Sequence, residues 1–126
     1  MEIKRYRVYI AGPVTKGIYV ENMRQAIEAA DVISERGHFP FTPHLFDLWA
    51  LMSPVKKNQT FMFEQVSHWL QFCDIIVRLP GESSGADREV SMAYDKGIPV
   101  YYGVQEFKES PHWAEGIPEE AKEKGA

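Results

Sequence analysis

Glu89 is the residue whose type and position most directly suggest chemistry. An apolar run, Asp74-Ile75-Ile76-Val77-Arg78-Leu79, reads as a strand, followed by the turn Pro80-Gly81-Glu82-Ser83 and a helix over 85 to 96. Ser84 is placed to cap that helix, with Asp87 three residues later to return the bond. At about 100° per residue, Ala86, Val90 and Ala93 form the inward stripe and Asp87, Arg88, Ser91 and Asp95 the outer side. Glu89 falls inside the stripe. The helix dipole alone favours an acid in an opening turn, but an inward carboxylate is costly and is usually retained for a reason. Beyond the carboxyl end of a parallel strand it stands in the crevice where open α/β sheets bind ligands, the place expected of a catalytic acid.

Two loops converge on the same edge. The first, after Arg7-Val8-Tyr9-Ile10-Ala11, holds Gly12, Pro13, Thr15, Lys16 and Gly17; the second holds Gly81, Ser83, Ser84 and Gly85. Backbone amides, hydroxyls and a helix amino end suit an anion, most simply a phosphate. Neither loop has the spacing of a nucleoside-triphosphate loop or of a dinucleotide fingerprint, and turn chemistry would account for most of these glycines.

The elements that must position these groups alternate along the chain. Residues 7 to 11 form a first strand. Asn22 with Gln25 gives a capping signal and Gly37 a stop, so Met23, Ala26, Ile27, Ala30 and Ile33 place a helix over 23 to 36. His38-Phe39-Pro40-Phe41 is a brief strand. Residues 42 to 60 read as irregular or only partly helical, rich in His44, Phe46, Asp47, Trp49, Lys56 and Lys57. A helix from about 61 to 72 buries Val66, Trp69, Leu70 and Cys73, and residues 97 to 102 give a last strand. This order predicts an α/β fold, a three-layer sandwich with a four- to five-stranded parallel sheet and right-handed crossovers, flavodoxin- or Rossmann-like. Residues 1–104 make the domain. Residues 105–126 are a charged extension whose Trp113 argues for packing on the body or on a partner subunit, with a short helix over 118 to 124 as one option.

Composition limits the classes. The chain has 126 residues, 44% hydrophobic and 25% charged, enough for one domain with a real core. A net charge of -4 argues against a nucleic-acid polymer as partner but leaves a single nucleotide open. No apolar run reaches membrane-spanning length and the N-terminal residues do not read as a signal peptide, so a cytoplasmic protein is expected. The four histidines lack metal-ligand spacing and neither metal nor cofactor is expected; the single Cys73 reads as a small buried residue.

Tyr9-Ile10-Ala11-Gly12-Pro13, followed late in the chain by Ser83-Ser84-Gly85-Ala86-Asp87-Arg88-Glu89-Val90-Ser91-Met92-Ala93, resembles the nucleoside 2-deoxyribosyltransferase superfamily over roughly residues 6 to 102. That superfamily includes nucleoside 5′-monophosphate N-glycosidases and many uncharacterised bacterial and phage proteins. The resemblance implies that Glu89 is the nucleophile at the anomeric carbon and that Tyr9 orients its carboxylate. It also implies that Ser83 and Gly85 contact the sugar or its 5′-phosphate, that Gly12 makes a tight turn admitting the substrate, and that the protein is a homodimer or homotetramer. Glycosidic cleavage passes through an oxocarbenium-like centre, which a nearby carboxylate stabilises or captures.

The chain departs from the pattern in two places. Related glycosidases often carry an acid where Glu64-Gln65-Val66-Ser67-His68-Trp69-Leu70 has Val66, and Ser91 replaces a usual glycine. Glu64 and His68 point away from the Val66, Trp69, Leu70 stripe, so His44 and Asp47 are the nearest alternatives to assist the departing base, with Phe46 or Trp49 to stack on it. His44 bonded within its own loop and aromatics buried as core would explain the same residues. Two function classes follow: an N-glycosidase or deoxyribosyltransferase acting on a small-molecule nucleoside 5′-monophosphate or nucleoside, with Thr15, Lys16, Ser83 and Ser84 favouring the phosphorylated substrate, or a catalytically weak nucleotide- or NAD-derivative-binding module of the same fold.

Overall fold

The computed structural model describes residues 2–117. Strands β1 (Arg7–Ala11), β2 (Phe39–Phe41), β3 (Ile75–Arg78) and β4 (Val100–Tyr102) form one parallel sheet in the order β2-β1-β3-β4. Helices α1 (Tyr19–Glu35), α2 (His44–Met52), α3 (Gln59–Leu70), α4 (Ser84–Asp95), α5 (Val104–Lys108) and α6 (Pro111–Ala114) connect and follow the strands. The α/β sandwich is the expected one, with four strands.

Strand alternation sorts the core into two layers. On one face Val8, Ile10, Ile75 and Val77 pack against Ala26, Ala29 and Ile33 of α1 and against Phe107 of α5. Small alanines let α1 lie close to the sheet. On the other face Tyr9, Ala11 and Ile76 pack against Leu70 of α3 and Ala86, Val90 and Ala93 of α4. The second face carries the chemistry, because Tyr9 and α4 meet there near the carboxyl ends of β1 and β3. Phe107 is wholly buried, and Lys4 and Arg36 exchange backbone bonds with Glu115 and Ile117, so residues 105–117 pack on the body of the domain. The helix considered over 118 to 124 lies outside the described residues.

Several local expectations are corrected. Helix α1 starts at Tyr19, with Ile18 at its N-cap, and Asn22 lies one turn inside. The Asn22 amide instead donates to the Val14 and Lys16 carbonyls at 2.9 and 2.7 Å, fastening the β1–α1 loop. Of the two readings of the stretch after β2, the partly helical one holds, since α2 fills nine residues of it. Helix α3 begins at Gln59 because the Asn58 side chain caps it by accepting from the Phe61 amide. Trp69 is 48% exposed, so the α3 face is rotated from the expected stripe; Leu70 is buried and Val66 half-buried. Cys73 is half-buried, its thiol donating to the Trp69 carbonyl, and burial pushes its pKa up to about 11. In α4 the cap is Ser83, which accepts from the Ala86 amide at 3.1 Å, and Ser84 is the first helical residue.

Candidate active site

The carboxyl ends of β1 and β3 open into a cleft of about 360 Å³. Its floor is Glu89, 6% exposed on the inward face of α4 beside Val90 and Ala93. The phenol of the fully buried Tyr9, one strand away, donates a hydrogen bond to Glu89 Oε2. Tyr9 is held in turn by Phe41, stacked at 5.4 Å between ring centres. Burial pushes the Glu89 pKa up to about 8. The Tyr9 hydroxyl acts in the opposite direction, since a donor favours the charged form. The Tyr9 phenol thus engages one of the two carboxylate oxygens.

Three segments make the walls. From the β1–α1 loop come Gly12, Thr15 and Lys16. A Cβ on Gly12 would come within 3.0 Å of Leu79 Cβ, so glycine lets the two loops close on each other. From the β3–α4 loop come Glu82 and Ser83, and from the first turn of α4 Ser84 and Gly85. Gly81, at φ +113°, turns the chain there, and Arg78 braces the loop from below. Its guanidinium donates to the Leu79 carbonyl, to the Gly81 carbonyl at 3.0 Å and to Asp87 at 2.9 Å. The amides of Ser84 and Gly85, in the first turn of α4, have no intrahelical acceptor. A Cβ on Gly85 would meet no protein atom within 4 Å, so packing does not require a glycine there. Lys16 Nζ lies 3.6 Å from Glu82 Oε1 in an exposed ion pair that ties the two loops together.

The third wall comes from α2, α3 and α4: Phe46 and Asp47, then Met62, Phe63 and Val66, then Arg88. The Asp47 carboxylate beside the Tyr19 hydroxyl holds the Tyr19 pKa above its ordinary value. Phe46, not Trp49, faces the cleft; Trp49 packs edge-on against Phe46 and carries Lys57 Nζ at 5.1 Å from its ring centre.

Glu89, Gly12, Thr15, Lys16, Asp47, Ser83, Ser84 and Gly85 therefore share one cleft, with Tyr9 beneath it. Pro13 and His44 stand apart from its wall. Pro13 faces a neighbouring groove with Gly81, where a Cβ on Gly81 would come 2.8 Å from its ring. His44 is 1% exposed at the start of α2, and its Nε2 lies 3.1 Å from the Pro13 carbonyl. A carbonyl only accepts, so that nitrogen carries the proton. Nδ1 is then an unprotonated acceptor, with no partner among the described residues. Burial lowers the His44 pKa, keeping the ring neutral and bracing the loop.

Sequence reasoning missed Arg88, Phe63 and Arg78. Arg88 is exposed, as its outward phase predicts, and its guanidinium carbon lies 3.8 Å from the Phe63 ring centre, across the gap between α4 and α3. The available signal for Phe63 was helical spacing, which puts Met62, Phe63 and Val66 on neighbouring positions of one face of α3. Arg78, at the end of β3, carried no signal, since its acceptors are carbonyls that only the folded loop brings together. Among the described residues no cluster of side chains could hold a metal ion, and no helix is long and apolar enough to cross a membrane.

The four-stranded parallel sheet and its flanking helices form an α/β fold that is also found in solved structures. A 2-deoxyribosyltransferase from the psychrotolerant bacterium Bacillus psychrosaccharolyticus superposes with a TM-score of 0.65 at 18% identity, over 88% of this chain and 96% of that one. A conserved protein from Enterococcus faecalis V583 superposes with a TM-score of 0.63 at 19% identity, over 77% of this chain and 62% of that one. Residues 6–102 match the family described as Domain of unknown function (DUF4406), and the chain belongs to that family. No curated protein matches significantly by sequence.

Proposed function

We propose that this protein is an enzyme that cleaves the N-glycosidic bond of a nucleoside 5′-monophosphate, with Glu89 as nucleophile. The observation that carries the reading is the Glu89 carboxyl on the floor of the cleft with the Tyr9 hydroxyl on one of its oxygens. In the reaction the free oxygen bonds to C1′ as the C1′–N bond breaks, and the electron pair leaves with the base. Water then attacks C1′, releasing the sugar phosphate and restoring the carboxylate; a second base in place of water would make the enzyme a deoxyribosyltransferase. Glu89 must be ionised to attack, and the positive charge developing on the sugar favours that form.

The 5′-phosphate belongs at the opposite wall. The free amides of Ser84 and Gly85 and the positive end of α4 face it there. Thr15 and the Ser83 hydroxyl, which accepts from Ala86 but keeps its own proton, are further donors. Lys16 would exchange exposed Glu82 for phosphate. Phe46, Phe63 and Met62 offer apolar surface to the base, with Asp47 beside them. Given its placement, His44 acts through the loop.

The similar fold of a 2-deoxyribosyltransferase supports this reading. So does the exposed apolar face of α2, where Leu45, Leu48, Trp49, Leu51 and Met52 suit a second copy, in a homodimer or homotetramer acting in the cytoplasm. A nucleotide- or NAD-derivative-binding module is the second reading. It is favoured by Val66, which puts an apolar group in the wall where related glycosidases often carry an acid. Chromatography of free base after incubation with ribo- and deoxyribonucleosides and their 5′-monophosphates separates the two. Release from the monophosphates supports the glycosidase; binding without release from any member supports the module.

A further inference from the structure

One charged group in the cleft is not used by that chemistry. Arg88 follows the phosphate-facing turn of α4 and precedes the nucleophile, and its side chain crosses to α3 to lie over Phe63. Arg5, Arg36 and Arg88 have no ion-pair partner among the described residues and each lies over a ring, but Arg5 and Arg36 donate to backbone carbonyls, and of the three only Arg88 lines the cleft. Stacking on a ring fixes the plane of a guanidinium and leaves its N–H edges to bond in that plane. Met62, Phe63 and Val66, which share this wall, have no side-chain group able to form a strong hydrogen bond, and its other polar side chains are Asp47 of α2 and Gln59 at the start of α3. Arg88 therefore brings a fork of donors, and no acceptor, to the part of the cleft left for the base.

We propose that Arg88 reads the base and selects 6-oxopurine nucleoside 5′-monophosphates. Such a base presents N7 and O6 as adjacent in-plane acceptors, the pair that a guanidinium bonds bidentately. Adenine presents the N6 amino donor in place of O6, and two donors cannot bond each other. The inference rests on the glycosidase reading of the cleft and adds to it the substrate class and a place for the leaving charge. When C1′–N9 breaks, the electron pair stays with the base and its charge spreads over the ring that contains N7, where hydrogen bonds from Arg88 stabilise it until water protonates the base. That role offsets the missing acid at Val66.

The test compares wild type with Arg88→Met, which keeps an apolar stem, and Arg88→Lys, which keeps the charge without the fork. Guanosine, inosine, adenosine and cytidine 5′-monophosphates are followed both by base release and by calorimetric binding. Wild type is expected to favour guanosine and inosine monophosphates over adenosine monophosphate by about 10-fold or more in kcat/KM, a bidentate pair being worth about 5- to 150-fold. Arg88→Met should bring that ratio to near one and slow release from every substrate, because the leaving charge loses its donors, whereas Arg88→Lys, whose ammonium can still donate to N7 and O6, should keep part of the preference. An unchanged ratio in Arg88→Met, or a wild type that prefers adenine or cytosine, overturns the proposal while leaving the glycosidase intact. If wild type releases no base, the glycosidase reading fails by itself and the binding constants decide for Arg88. The same preference in wild type and its loss in Arg88→Met supports base reading; equal constants overturn it.

Discussion

Replacing Glu89 by glutamine should make the protein's stability less sensitive to pH, in a window that the geometry defines. An ordinary glutamate ionises near 4.5, and burial on the cleft floor raises Glu89 to about 8. Between those values the unfolded chain has lost the proton and the folded protein keeps it. The unfolded state then binds fewer protons, so wild-type stability falls as pH rises through the window and is level on either side. At about 1.4 kcal/mol per pH unit the full span amounts to at most about 5 kcal/mol, reduced by whatever the Tyr9 hydroxyl returns to the charged form. Glutamine does not titrate. Its amide adds a constant offset of about 1–3 kcal/mol if the buried NH2 lacks an acceptor, and a constant does not alter the slope. Urea unfolding of both proteins from pH 4.5 to 9 measures the difference directly, and groups such as His38 and His44 cancel because both chains carry them. The Glu89→Gln protein should gain on wild type steadily to about pH 8, then hold its lead. Parallel curves, or a gap that closes as pH rises, would show Glu89 ionised throughout and refute the reasoning.

The same titration governs catalysis: a nucleophile must be deprotonated, so kcat/KM should rise about tenfold per pH unit below about 8 and then level, whereas a fall through that range would make Glu89 a proton donor. Gly85→Ala should fold at least as stably as wild type, gaining up to about 1 kcal/mol by denaturant unfolding, yet lose several-fold in affinity for monophosphates; unchanged affinity would remove Gly85 from the phosphate wall. Lys16→Ala should raise KM for monophosphates by roughly 10-fold, the scale of a charged hydrogen bond, and leave the corresponding nucleosides unaffected. Phe107→Ala should cost about 3–5 kcal/mol in urea unfolding, and a loss below about 1 kcal/mol would contradict its place in the core.

Much of the layout was legible in the sequence because it depends on local rules. Strand runs of β-branched residues and the phase of Ala86, Val90 and Ala93 placed Glu89 inward with no knowledge of its partner. Tyr9 as that partner came only through family resemblance, since a hydrogen bond spanning 80 residues of sequence leaves no local signal. The errors have physical causes too. Either of two adjacent serines can cap α4, and in the fold it is the Ser83 hydroxyl that reaches the Ala86 amide. Asn22 has the chemistry of a cap, but its amide also donates, and the loop carbonyls took it. Helix α2 hid because Pro43 gives no side-chain cap and its apolar residues largely face outward, so no inward stripe marks it. Arg88 escaped because a helical wheel gives the direction of a Cβ and not the reach of a long side chain.

Base release by wild type and Glu89→Gln, on the monophosphate that wild type cleaves fastest and with binding measured beside it, asks whether the Glu89 carboxylate attacks the sugar. The account predicts that Glu89→Gln binds the nucleotide within a few-fold of wild type and loses release by about a thousandfold or more, a barrier change of about 4 kcal/mol. Release at a comparable rate from both proteins would contradict it and move the chemistry away from Glu89.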